Sequence, residues 1–214
     1  MRLATEETIF KAIGVAAALV LTIPVSAALS GGKAPPPPAA GPVEPPPYTL
    51  TLSADARRVD LQGRIDFGVT AALTALLENR PEVRTLRLQS PGGRVAEARG
   101  LVTVVKRFAL DTRAQGDCAS ACTLVFIAGH NRGLDPGARL GFHGYDLRSP
   151  VFGLIDPARE IERDATIFRE AGVDAGFMDR AMAVPHRTMW FPTRHDLIAA
   201  GVIDPPIATP IATP

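Results

Sequence analysis

The sequence has little of what marks a nucleic-acid-binding or metal-binding protein. Only 3 of its 23 basic residues are lysines, and the 20 arginines are scattered, so no basic stripe forms. The formal net charge of +1 gives no general attraction to a polyanion. The 2 cysteines and 4 histidines include no second pair at metal-ligand spacing. We therefore expect no nucleic-acid partner, no metal and no cofactor.

The length and composition predict one folded domain behind an export segment. Of 214 residues, 46% are hydrophobic and 21% charged, which is ordinary for a globular domain. Residues 1–30 place Arg2 and Lys11 before an uncharged run that contains the small-residue stretch Val25–Ala27. This pattern indicates either a cleaved signal peptide or a single-pass membrane anchor. We expect the domain to lie on the periplasmic side of the cell envelope.

Proline-rich segments bound the predicted domain. Residues 31–47 contain "KAPPPPAAGPVEPPP", which favours extended polyproline II and predicts a stiff linker. Residues 205–214 end in a short repeat, "IATPIATP", without a periodic apolar face, and this indicates a disordered tail. The folded domain is accordingly predicted over residues 48–204.

Strand and helix patterns alternate within this domain. "YTLTL", "VDLQG", "TLRLQS" and "ALDTRA" have strand character, whereas "RVAEARGLVTVVKRF" and residues 120–128 have apolar residues at helical spacing. Residues 115–119 are expected to form a loop. Two short strands are predicted around the turn at 135–137, and helices at 155–170 and after a capping box of Thr193 and Asp196. Alternation of this kind favours an α/β fold with a mainly parallel sheet.

Two loops at predicted strand ends could form a catalytic site. "QSPGGRV" and "GDCASAC" offer backbone N–H groups that could hold an oxyanion. Ser120, at a predicted helix start, would need a base to act as a nucleophile. His143 follows a short predicted strand and is the best placed of the histidines. The other three histidines are interpreted as structural: His130, His186 and His195.

Five segments in order resemble the Clp protease proteolytic subunit, within the wider crotonase-like superfamily, and are also similar to the signal peptide peptidase A group. They are "VDLQGRID", "LRLQSPGG", "CASAC", "DPGARLGFH" and "FPTRHDLIAAGVID". The resemblance implies a single ClpP/crotonase-like domain of repeated β-β-α units that self-associates. It also implies peptide-bond hydrolysis, with Ser120 as nucleophile, His143 as base, and the N–H groups of Gly93 and Ala121 as the oxyanion hole.

The acid that completes this family's catalytic triad has no clear counterpart. Counting from the flanking motifs leads to Pro185 or Ala181, neither of which is acidic. Asp146 and Asp179 lie nearby in sequence, and no spacing argument selects one of them. We therefore weigh an exported serine peptidase with a Ser/His dyad or incomplete triad against an inactive relative that binds peptides or proteins. An acyl-CoA enzyme is less favoured, because coenzyme A is a cytoplasmic cofactor.

The two cysteines flank the candidate nucleophile. Residues four apart on a regular helix are too far apart for a disulfide, so a bridge requires Cys118 to precede the helix that contains Cys122. A disulfide that fixes this loop and two buried apolar thiols are equally compatible with the sequence.

Three other residues have simple structural interpretations. Trp190 and Phe191 are interpreted as core or rim aromatics, and Glu160 as part of a solvated helix face.

Overall fold

The computed structural model describes residues 46–145 and 156–205. In these two ranges the chain forms six strands and six helices. The strands are Tyr48–Leu52 (β1), Arg58–Gly63 (β2), Thr85–Ser90 (β3), Asp111–Ala119 (β4), Arg132–Leu134 (β5) and Arg139–Gly141 (β6). The helices are Val69–Glu78 (α1), Val95–Arg107 (α2), Ala121–Ile127 (α3), Pro157–Glu170 (α4), Ala175–Ala183 (α5) and Arg194–Ala199 (α6).

The strands form one mixed sheet that is mainly parallel, and this confirms the predicted fold class. β2, β3 and β4 are parallel neighbours, and β1 closes one edge antiparallel to β2. β5 pairs in parallel with the first half of β4, and β6 pairs in parallel with the second half. The carboxyl ends of β3, β4 and β6 therefore lie side by side, where an α/β sheet places its site.

The core follows the alternation of the strands and the apolar faces of the helices. Val59 and Leu61 in β2 and Leu86 and Leu88 in β3 are fully buried, with half-buried or exposed residues between them. All seven residues of α3 are buried, because this helix packs against β3, β4, α2 and α4. The residue that precedes α3 is thereby attached to the most enclosed element of the fold.

Two elements differ from the sequence predictions. β4 continues through residues 115–119, which were predicted to form a loop, because residues 117–119 pair with β6 and Cys118 pairs with Ser90 of β3 beyond a register shift. The polar sequence "QGD" therefore lies within a strand, and the residues at the end of that strand are paired with β3 and β6. The helix α5 was not predicted, although Asp174 caps it by accepting a hydrogen bond of 2.8 Å from the Phe177 N–H.

The ends of the predicted domain are only partly within the described residues. The capping box of Thr193 and Asp196 is present at α6, as expected. The predicted export segment, residues 31–45 of the linker and residues 206–214 lie outside the described ranges. None of the helices in residues 46–145 and 156–205 combines the length and apolar character needed to cross a membrane.

Candidate active site

Ser120 forms a sharp turn between β4 and α3. Its φ of 56° and ψ of −129° are unusual for a residue other than glycine, so the surrounding contacts must hold this conformation. The Ser120 N–H donates to the Gly141 carbonyl at 2.9 Å, and the Ser120 carbonyl accepts from the Thr123 N–H and hydroxyl. The turn presents the side chain at the carboxyl end of β4, as in strand-to-helix nucleophile turns.

The glycine loop after β3 packs directly against this turn. Gly92 has a φ of 93°, and a Cβ atom there would lie 2.6 Å from the Ala119 carbonyl oxygen and 2.9 Å from the Ala121 nitrogen. Only glycine allows this approach. The N–H groups of Gly93 and Ala121 donate no hydrogen bond to other residues in the described part of the chain. Both residues line the same cavity, which makes their N–H groups candidates for binding an oxyanion.

His143 lies within hydrogen-bonding distance of Ser120. Its Nε2 atom is 2.8 Å from the Ser120 Oγ atom, and its Nδ1 atom is 2.7 Å from the Gly144 carbonyl oxygen. A carbonyl oxygen can only accept, so the pair of contacts assigns the proton to Nδ1. Nε2 is then free to accept from the serine hydroxyl, which is the geometry that a general base needs.

No carboxylate occupies the third position beside His143 among the described residues. Asp179, one of the two aspartates that the sequence left open, has an exposed side chain that forms no hydrogen bond with His143, and the Gly144 main-chain carbonyl contacts Nδ1. The other candidate, Asp146, lies outside the described ranges. Sequence reasoning missed Gly144 because a main-chain acceptor has no residue-type signature.

A disulfide joins Cys118 at the end of β4 to Cys122 in the first turn of α3. The two Cα atoms are 5.3 Å apart, and both side chains are fully buried. Cys118 lies in a strand, before the helix starts, and this removes the geometric obstacle of a regular helix. The covalent bridge therefore spans the turn that contains Ser120 and the Ala121 N–H.

An apolar cavity of about 160 Å³ opens beside these groups. This volume is below the roughly 300–1,000 Å³ of typical small-molecule sites and fits a single side chain better than a whole ligand. Its apolar lining includes Val95, Leu124, Phe142, Phe168 and Met182. Ser120, His143, Gly93 and Ala121 line the same space, so a bound side chain would bring its own backbone to the serine.

A second histidine borders the cavity. His186 is exposed, and its ring packs edge to face on His143 with the centroids 4.9 Å apart. A structural role was predicted for it from the sequence, because it lies in a predicted loop and does not follow a strand. His130 and His195 are exposed and do not line this cavity. Trp190 packs against Phe142, in agreement with its predicted role as a core or rim aromatic.

The described residues contain no group of three or more His, Cys, Asp or Glu side chains arranged to hold a metal ion.

No family model and no curated protein matches the sequence. Among solved structures, a point mutant of ClpP1 from Listeria monocytogenes matches with a TM-score of 0.56 and 18% sequence identity. The match covers 70% of this chain and 90% of that chain. The chain therefore has a ClpP-like fold.

Proposed function

We propose that this domain is a serine peptidase-like hydrolase that cleaves peptide bonds through Ser120 and His143. The observation that carries the proposal is the 2.8 Å contact between Ser120 Oγ and His143 Nε2, next to two N–H groups that have no acceptor among the described residues. The ClpP-like fold and the apolar cavity support a peptide as substrate. The cavity would accept an apolar side chain next to the scissile bond.

The proposed reaction begins when His143 Nε2 takes the Ser120 hydroxyl proton as Oγ attacks the peptide carbonyl carbon. The carbonyl oxygen becomes an oxyanion, which the N–H groups of Gly93 and Ala121 stabilise; losing one such donor typically costs about 10²–10³ in rate. The protonated His143 then donates to the departing amine as the C–N bond breaks. A water molecule that gives its proton to His143 would hydrolyse the acyl-enzyme in the same way.

Labelling with a fluorophosphonate probe tests this proposal. We expect the wild type to be labelled, and Ser120→Ala and His143→Gln to be labelled at background level because nucleophile or base is removed. Ser53→Ala, which removes a serine in the β1–β2 turn, is the matched control and should label like the wild type. No labelling of folded wild-type protein would refute the peptidase.

An inactive peptide-binding module is the second candidate, and one observation favours it. The Gly144 carbonyl, and no carboxylate of the described residues, contacts His143 Nδ1. Loss of the orienting acid in serine proteases costs about 10⁴ in rate. This candidate requires that folded wild-type protein, unlabelled by the probe, still binds apolar peptides, and that filling the cavity with Val95→Trp abolishes the binding.

We further propose that the domain is exported to the periplasm and forms homo-oligomers. The pattern of residues 1–30 supports export, and so does the Cys118–Cys122 bridge, because disulfides persist in oxidising compartments. Self-association is proposed from the resemblance to the Clp protease subunit. An alkaline phosphatase fusion after residue 47 tests export, and light scattering of the purified domain tests self-association.

A further inference from the structure

The contact that orients His143 depends on a single peptide group. The Gly144 carbonyl that accepts from His143 Nδ1 belongs to the same planar unit as the Tyr145 N–H. A rotation of this peptide would move the acceptor away from Nδ1. The proton position on His143 therefore depends on what holds Gly144 and Tyr145 in place.

Both sides of this peptide are held by the protein. On one side, the Gly144 N–H donates to the Val184 carbonyl at 2.8 Å, and a Cβ atom on Gly144 would lie 2.3 Å from the Met182 carbonyl oxygen. On the other side, the Tyr145 hydroxyl donates a short hydrogen bond to the Asp164 carboxylate of α4. Burial of the ring and the hydrogen bond to Asp164 raise the pKa of Tyr145, which keeps the phenol protonated as a donor.

Asp164 is a buried acid for which the proposed reaction has no direct use. Its side chain is 2% exposed, and it accepts a hydrogen bond of 2.6 Å from Arg99 Nε. Burial opposes the charge of Arg99, but hydrogen bonds to Asp164 and Glu160 overcome that effect and raise the pKa of Arg99. A buried carboxylate is tolerated only with such partners.

Glu160 does not lie on a purely solvated face, because it pairs with the same Arg99 side chain. This corrects the interpretation from the sequence.

The network connects the two sides of the candidate site. Arg99 lies on α2, which begins at Val95, two residues after Gly93 in the glycine loop. Tyr145 follows His143 by two residues and lines the same cavity as Gly93. The Arg99–Asp164–Tyr145 chain of hydrogen bonds therefore runs from the helix behind the oxyanion donors to the peptide that contacts the base.

We propose that Asp164 is a positioning residue for His143, acting through the Tyr145 hydroxyl and the Gly144–Tyr145 peptide. The acid that a serine triad places directly on the histidine would here act one step removed. This inference rests on the proposed role of His143 as base. It gives a role to a buried, hydrogen-bonded carboxylate in a site where the described residues place no carboxylate directly on His143.

The experiment compares Tyr145→Phe and Asp164→Asn with the wild type. Tyr145→Phe removes only the hydroxyl and keeps the ring in the cavity, so it remains decisive if Asp164→Asn fails to fold. The matched control is Lys106→Met, which removes an exposed ion pair between the same helices, Lys106 with Glu170, without touching Tyr145. Two quantities are measured: the fluorophosphonate labelling rate, and the His143 tautomer from ¹⁵N-edited NMR, assigned by its absence in His143→Gln.

We expect the wild type and Lys106→Met to show the Nδ1–H tautomer and equal labelling rates. In Tyr145→Phe the Nε2–H tautomer should become populated and labelling should fall by up to about a hundredfold, the loss typical of a misplacement of about 1 Å. A purely structural role for the network would leave the tautomer unchanged.

When the wild type is labelled, either an unchanged tautomer or an unchanged labelling rate in Tyr145→Phe overturns the inference. The peptidase proposal fails separately, when the folded wild type is not labelled at all. The tautomer measurement needs no turnover, so it decides the positioning role of Asp164 in that case as well.

Discussion

Removing the Cys118–Cys122 bridge should weaken the site more than it weakens the fold. The bridge closes a short loop with a sequence separation of 4, which contains Ser120. For a closed loop of about five residues, the chain-entropy relation gives a stabilisation of about 2 kcal/mol. The double variant Cys118→Ala/Cys122→Ala should lose about that much free energy of unfolding.

The effect on the nucleophile has a different origin. Ser120 has a φ of 56°, and a conformation of this kind costs about 1–3 kcal/mol that the surroundings must supply. Without the bridge, one covalent restraint on this turn is lost, and Ser120 and the Ala121 N–H can move away from His143 and the cavity. We expect the labelling rate to fall by about a hundredfold, since small displacements of reacting groups have effects of that size.

The assay separates the two effects by comparing the bridge variant with Leu77→Ala. Leu77 is 1% exposed in α1, and its truncation should cost about 2–5 kcal/mol through a cavity in the core. Both proteins are compared by denaturant unfolding and by labelling under conditions in which both remain folded. Leu77→Ala should label like the wild type despite an equal or larger loss of stability.

Treatment of the wild type with a reductant gives an independent measurement. Both cysteine side chains are fully buried, so reduction should be slow in the native state and fast when denaturant opens the domain. If the bridge variant labels at the wild-type rate, or if Leu77→Ala loses labelling to the same extent, the proposed restraint on Ser120 is refuted.

Three further outcomes are expected. Gly92→Ala should abolish labelling, because its Cβ atom would meet the Ala119 carbonyl oxygen at 2.6 Å and its φ of 93° disfavours alanine; wild-type labelling would contradict this. Glu97→Gln should cost about 1 kcal/mol at pH 7, since the Thr70 hydroxyl and N–H donate to Glu97 and lower its pKa. The lowered folded-state pKa of Glu97 stabilises the fold at pH values above its unfolded pKa of about 4.3. The difference in stability between wild type and Glu97→Gln should therefore shrink as the pH falls through the folded pKa. A difference in melting temperature that stays constant with pH would contradict this. His186→Asn should reduce the labelling rate about two- to tenfold, because it removes one aromatic contact with His143. A loss of labelling as large as that of His143→Gln would contradict this supporting role for His186.

Local patterns predicted much of this fold because each arises within a short segment. The alternation in β2 and β3, the apolar face of α2 and the capping box at α6 are all present as expected. The second half of β4 was missed, because pairing with two neighbouring strands outweighs the polar character of "QGD". Strand pairing of this kind depends on partners that are distant in the chain.

The sequence by itself determined the mainly parallel sheet, the positions of the glycine loop and of Ser120, and His143 as the histidine at a strand end. These follow from periodicity, from residue types with special backbone freedom and from the order of the motifs. The tertiary structure alone decided that Cys118 and Cys122 are bridged, that the Gly144 carbonyl contacts His143, and that Asp164 is buried beside Tyr145. The bridge depends on where β4 ends and α3 begins, the Gly144 contact uses a main-chain atom that every residue has, and the Asp164 contact joins residues 19 positions apart. None of the three is encoded in the pattern of residue types along the chain.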